Sequence, residues 1–203
     1  MTDALLQGWP YLVAAYLIGS IPTGVLFGRL AGRDPREEGS GNIGASNVAR
    51  VLGKKWGAAT LIVDVAKGAM PVYLTQHYAA PDVALAAGGL AVLGHCYPIW
   101  LKFAGGKGVA TAFGVMLPVL PVIAMIAAMT WITVIYFTRT PAIGSLAAAA
   151  LFVALPQLNH HPIGVHLFTL TIAIVILIRH TSNLRTLKSR YTEKKKKKGR
   201  GRR

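Results

Sequence analysis

Apolar residues in this chain gather into seven runs, separated by short segments that hold nearly all of the charge. The runs extend from Leu5 to Phe27, Trp56 to Tyr78, Val83 to Leu101, Val109 to Leu120, Pro121 to Phe137, Ile143 to Leu158 and Ile163 to Ile178. A helix needs roughly 20 residues to cross a hydrocarbon core of ~30 Å, so the first three read as complete spans. The fourth is short. Pro118 and Pro121 interrupt the stretch from Val109 to Phe137, which reads as one kinked helix or two short ones.

Charge placement decides between those readings. With the amino terminus outside and seven crossings, 21 of the 22 basic residues fall on the inner side, Lys67 lies within the second run, and none is external. One long helix in place of two would send Arg139 and everything basic after it outside, against the positive-inside rule. The expectation is therefore an all-α, polytopic membrane protein of seven transmembrane helices, with short inner loops.

Composition agrees with this pattern. The 203 residues are 53% hydrophobic, and mean hydropathy is +0.48 despite the 22 lysines and arginines, so apolar and charged residues must be segregated. No basic residue precedes the first run and no small-residue cleavage pattern follows it, which predicts a retained span. The single Cys96 excludes an internal disulfide and a cysteine metal site. A net charge of +15 suggests nucleic acid, but 12 of the 22 basic residues lie between Arg179 and Arg203 and no nucleic-acid motif accompanies them. Residues 188–203 are instead expected to form a disordered basic tail beside an anionic membrane surface, following a transmembrane domain over 1–187.

Three polar motifs punctuate the inner side of this topology. Glu38-Gly-Ser-Gly-Asn-Ile-Gly-Ala-Ser-Asn-Val-Ala-Arg50 offers Ser40, Asn42 and Asn47 as neutral hydrogen-bonding groups and Arg50 as a planar fork for an anion. The composition also suits an ordinary linker. Ala104-Gly-Gly-Lys-Gly-Val-Ala-Thr111 sets Gly105, Gly106, Lys107 and Gly108 just before a helical segment, where exposed N–H groups, the helix dipole and an ammonium together suit a phosphate. It is not a Walker A loop, since Gly108 stands where that loop has Ser or Thr, and a plain glycine-rich turn is the alternative. His180 and Asn183, one turn apart, fit either a substrate contact or a helix end. Within the second run, Asp64 and Lys67 share a helical face and read as a satisfied ion pair or as a functional one.

The combination Ser40-Gly-Asn-Ile-Gly-Ala-Ser-Asn47, Gly94-His95-x-x-Pro98 with Phe103-Ala-Gly-Gly-Lys-Gly-Val-Ala-Thr111, and His180-x-x-Asn183-Leu closely resembles the bacterial acyl-phosphate-dependent glycerol-3-phosphate acyltransferases, the PlsY family. The resemblance covers about Gly19 to Leu187. It implies seven transmembrane helices in the bacterial inner membrane and a site open to the cytoplasm. The implied reaction moves a fatty acyl group from acyl phosphate to the sn-1 hydroxyl of glycerol 3-phosphate, giving lysophosphatidic acid and inorganic phosphate, the first step of phospholipid synthesis.

On that resemblance Arg50, Lys107, His180 and Asn183 are the catalytic candidates. Ser40, Asn42, Asn47, Gly105, Gly106, Gly108, Thr111 and Ser145 are the candidates for substrate or phosphate binding. No metal, cofactor or nucleic acid is expected, and the protein is expected to be a monomer. The donor is already an activated anhydride, so positioning and charge neutralisation would supply most of the catalysis. This chain departs from the family after Asn183, where Arg190 and Thr192 replace a glycine and a glutamate and Glu193 falls one place late. A phosphorylated-metabolite transporter using Asp64 and Lys67, and a magnesium phosphotransferase, are the rival readings; the second lacks an aspartate-rich motif.

Overall fold

The computed structural model describes residues 7–200, with side chains described as far as 189 and at 192. Among these residues there are ten α-helices, two short 3-10 turns and no strand: α1 (Trp9–Gly19), α2 (Thr23–Leu30), α3 (Ala45–Leu52), α4 (Lys54–Tyr78), α5 (Pro81–Cys96), α6 (Val109–Val119), α7 (Pro121–Thr138), α8 (Pro141–Ala154), α9 (Ile163–Arg179) and α10 (Thr181–Arg200). Proline opens α5, α7 and α8, where a missing N–H costs nothing.

The first apolar run is not a single helix. α1 and α2 meet at an angle of 40° across Ser20, Ile21 and Pro22, because Pro22 can donate no hydrogen bond to continue the ladder. The break is repaired from α4: Lys67 Nζ donates to the Ile21 carbonyl at 2.8 Å, and lies 2.8 Å from Asp64 Oδ1. Both charges are at least 96% buried (relative exposures 4% and 2%), and His95 Nδ1 sits 3.7 Å from the same carboxylate oxygen. The pair thus adds a charged donor at the break, to a carbonyl that also accepts the Thr23 N–H at 3.0 Å.

By length and composition, four helices suffice to cross a membrane, and six do if each bent pair counts as one. The second bent pair is α9 with the start of α10, which meet at 48°. The remaining expected span, α6, has only 11 residues, or about 16 Å at ~1.5 Å per residue. Its place is nonetheless defined. The Thr111 backbone packs on Gly68, and Gln76 Nε2 donates to the Pro118 carbonyl at 3.3 Å, so α6 runs beside the second half of α4 and in the same direction. Gly68 follows Lys54 by 14 residues, about 21 Å along α4. α5 also stops at this level, where His95 faces Asp64. The connection from 97 to 108 therefore leaves and re-enters the bundle about halfway along α4.

Small residues let the helices come this close. Gly68 lies on the Thr111 carbonyl, Gly114 on the Val65 carbonyl, and Gly19 on the Ala91 backbone, each with no room for a Cβ. The apolar core centres on Val72, Val115, Met116, Phe168 and Ile172.

Two features differ from the expectation. The segment expected as a loop through Arg50 contains α3, which buries Asn47, Val48 and Val51 and packs through Ala49 against Gly57 of α4. Its eight residues are too few to show a period beside three glycines. The backbone expected to be disordered from 188 continues as α10 to Arg200, since Lys, Arg and Glu favour helix and no proline intervenes. Arg202 and Arg203 lie outside the described residues, as do the side chains of Lys194–Lys198 and Arg200.

Candidate active site

The first motif folds as a loop stapled by one amide. Asn47 Oδ1 accepts the Ser40 N–H at 2.7 Å, and Asn47 Nδ2 donates to the carbonyls of Pro35 (2.8 Å) and Glu38 (3.1 Å). Both amide hydrogens of this buried residue are thereby used within the protein, so Asn47 positions the loop rather than presenting donors to a ligand. Gly39, at φ +64°, is held against Asn47 Oδ1 where a Cβ would collide. Asn42 Oδ1 accepts the Gly44 N–H at 2.9 Å, ordering the entry into α3.

Charge within this loop is unevenly matched. Arg33 is paired with Glu38 and also donates to the Val51 carbonyl, and Arg36 is paired with Asp34. Arg50, which is exposed, makes only a long 3.5 Å bond to Asn47 Oδ1 among the described residues. Ser40 is also exposed, its hydroxyl beside a backbone that Asn47 has fixed.

The glycine-rich segment is built against the end of α5. Gly105 N–H donates to the Cys96 carbonyl (3.2 Å) and Gly106 N–H to the His95 carbonyl (3.0 Å). These two N–H groups, expected to face a phosphate, are instead engaged internally. A Cβ at Gly105 would strike Pro98 and the 95–96 carbonyls, and one at Gly106 would strike the His95 imidazole. Gly108, at φ +79°, caps the start of α6 and rests on Cys96. Helix geometry leaves the first N–H groups of α6 without intrahelical acceptors, so the donors suited to an anion shift from Gly105 and Gly106 toward Lys107 and the turn after it.

On the other side of this loop stands Arg179, in the sequence only one basic residue among many. Its Nε donates to the Gly106 carbonyl at 2.9 Å and Nη2 to the Gly105 carbonyl at 2.6 Å, while the guanidinium lies 5.1 Å over the Tyr97 ring. Tyr97 is tied in turn through its carbonyl to the Tyr16 hydroxyl (2.8 Å). The signal in the sequence was an arginine next to His180, not separable there from the basic tail.

His180 follows directly, just beyond α9, and is 2% exposed. Its Nδ1–H donates to the Ile176 carbonyl at 2.8 Å, which fixes the neutral tautomer with the Nε2 lone pair available as acceptor. Burial and the cations Lys107 and Arg179 hold its pKa below the usual histidine value, outweighing that hydrogen bond. Burial, and then Arg179, likewise hold the half-buried Lys107 below the ordinary lysine range. Asn183 Oδ1 is buried with no hydrogen-bond partner among the described residues.

Lys107, Arg179, His180 and Asn183 thus belong to one neighbourhood, and Ser40, Asn42, Asn47 and Arg50 to another at the Lys54 end of α4. Two further expected contacts lie within the helix packing. Ser145 donates to the Pro141 carbonyl (2.9 Å) and accepts the Trp131 indole N–H (3.3 Å), joining α7 to α8. Thr111 is fully buried where α6 meets Gly68, its hydroxyl without a hydrogen-bond partner among the described residues. No cluster of three His, Cys, Asp or Glu side chains suited to a metal occurs among the described residues.

Comparison with known proteins matches this architecture. The family model described as glycerol-3-phosphate acyltransferase matches residues 9–190. Glycerol-3-phosphate acyltransferases of Myxococcus xanthus and Geobacter sulfurreducens are 45% and 46% identical, the first over 96% of this chain and 100% of its own, the second over 86% and 90%. Crystal structures of PlsY (YgiH), an integral membrane glycerol 3-phosphate acyltransferase, superpose with TM-scores of 0.85 for the glycerol 3-phosphate form and 0.83 for the lysophosphatidic acid form. Each has 34% identity and covers 90% of this chain and 92% of the other. With nine-tenths of the sequence matched at both levels, the chain belongs to the glycerol-3-phosphate acyltransferase family of integral membrane proteins.

Proposed function

We propose that this enzyme transfers a fatty acyl group from acyl phosphate to the sn-1 hydroxyl of glycerol 3-phosphate, as a monomer with seven crossings, its amino terminus outside and its site open to the cytoplasm of a bacterial inner membrane. In this reading residues 1–187 form the acyltransferase unit and 188–203 a basic extension. The observation that carries the chemistry is the clustering of Lys107, the Arg179-bound loop and His180, whose Nδ1 is engaged by the Ile176 carbonyl so that Nε2 is left for a ligand. Such a set neutralises phosphate charge and accepts a hydrogen bond from an alcohol without offering an acyl-enzyme nucleophile.

The hydroxyl oxygen attacks the acyl carbonyl carbon and the bond from that carbon to the phosphate oxygen breaks. The hydroxyl proton passes to a phosphate oxygen, while His180 Nε2 and Asn183 orient the alcohol. Lys107 and Arg50 bear the negative charge of the two phosphorylated substrates, with Ser40 as a neutral ligand. Asn42, Asn47, Gly105, Gly106, Gly108 and Thr111 shape the loops that carry these groups, and Ser145 holds the packing of α7 and α8.

Purified protein in lipid, supplied with acyl phosphate and glycerol 3-phosphate, should form lysophosphatidic acid and release phosphate in equal amounts. Lys107→Ala should lower kcat/KM by at least about 100-fold. Turnover with acyl-coenzyme A and none with acyl phosphate would refute the donor.

A further inference from the structure

We propose that Arg179 is a positioning residue for the transfer reaction: it turns the carbonyls of Gly105 and Gly106 toward itself, with the Lys107 N–H facing the opposite way, and so fixes the backbone on which the Lys107 ammonium stands. This inference rests on the placement of Lys107 at the site given above. A trans peptide is planar, with its C=O and the following N–H pointing in opposite directions. The 105–106 peptide displays both ends of that arrangement, its carbonyl on Arg179 Nη2 (2.6 Å) and its N–H on the His95 carbonyl (3.0 Å). The 106–107 peptide has its carbonyl on Arg179 Nε (2.9 Å), which sets the direction of the Lys107 N–H in the same way.

The loop cannot adopt this orientation passively. Beneath it the buried His95 imidazole closes off the Gly106 side, backed by Asp64 and Lys67. Above it the guanidinium is held by the Tyr97 ring, itself anchored through its carbonyl to α1. The same arginine immediately precedes His180, so one side chain fixes the glycine loop relative to the residue that faces the alcohol. Two parallel donors on a rigid fork accomplish this, and a lysine ammonium at the same place does not reproduce it.

The test compares Arg179→Lys, Arg179→Gln and Lys107→Ala, singly and with each Arg179 change combined with Lys107→Ala. Initial rates with acyl phosphate and glycerol 3-phosphate are read beside thermal unfolding in the same lipid. Arg179→Lys should lower kcat/KM about tenfold or more with an unfolding midpoint close to that of the unmodified protein. In the Lys107→Ala background it should cost less than about threefold, because the ammonium whose backbone Arg179 holds in place is already gone. An Arg179→Lys enzyme as active as the unmodified protein would show that only charge matters and overturn the proposal. So would additive losses in the double variants, or losses that follow the unfolding midpoint. Full activity in Lys107→Ala would remove the loop from the site, and this proposal with it, whereas additivity beside a crippled Lys107→Ala removes this proposal alone.

Discussion

Replacing Gly106 by alanine adds one methyl group at a place where the structure has filled the space. The new Cβ would land on the His95 imidazole, which is 4% exposed and enclosed by Asp64 on its other side, so the ring has no solvent to swing into. The loop must give way instead. Overpacking of this kind costs about 1–3 kcal/mol, and the Gly106 N–H to His95 carbonyl bond adds about 1 kcal/mol if it is lost. A combined penalty of about 2–4 kcal/mol on the active arrangement corresponds to a fall in kcat/KM of roughly 30- to 900-fold. The strain is confined to the loop, so the unfolding midpoint should shift little. His95→Ala removes the obstructing ring while keeping the accepting carbonyl, and the double variant should be at least about fivefold more active than the product of the two single effects. An unimpaired Gly106→Ala, or a double variant with independent losses, would refute the reasoning.

The pH profile should fall at both ends. His180 must be neutral to accept through Nε2, and its lowered pKa moves the acid limb of kcat/KM below the ordinary histidine value of about 6.5. Lys107 must be protonated, and its lowered pKa brings the alkaline limb below the ordinary lysine value of about 10.4; Arg179→Gln should move that limb upward by removing a neighbouring cation. Asn47→Ala deletes the bonds to Ser40, Pro35 and Glu38, so limited proteolysis between 31 and 44 should accelerate severalfold; unchanged cleavage would show that the staple is not needed. Deleting Lys194–Arg203 should leave turnover in detergent within about twofold, because these charges act at lipid surfaces, and loss of activity there would assign the tail a direct part.

The helical class and the rough limits of most spans were legible, since apolar runs at membrane length leave few alternatives. The two polar neighbourhoods were also legible as anion-suited motifs, because glycine, amide and cation in that order have a direct chemical meaning. What escaped was the partner of each group. Ser145 appears from sequence as an available hydroxyl, and nothing local shows that it also accepts the Trp131 indole N–H from 14 residues away. Gly105 and Gly106 look like two donors for a ligand, and their donors face the end of α5. Arg179 looks like the first residue of a basic tail, although its fork reaches back more than 70 positions to the glycine loop (|i−j| of 73 and 74). Such contacts join distant parts of the chain, and no local pattern encodes them.

The half-length of α6 has a consequence for where the glycine loop can stand. Backbone that leaves a helical bundle must satisfy its own polar groups, and the 97–108 connection does so to a large extent: the N–H groups of Tyr97, Leu101, Lys102, Phe103, Ala104, Gly105 and Gly106 all donate to nearby backbone carbonyls. With those groups paired, Ile99, Trp100 and Phe103 remain exposed on its outer side, an apolar collar of the kind that settles at a lipid boundary. The level of that collar along α4 is set by the 11 residues of one helix.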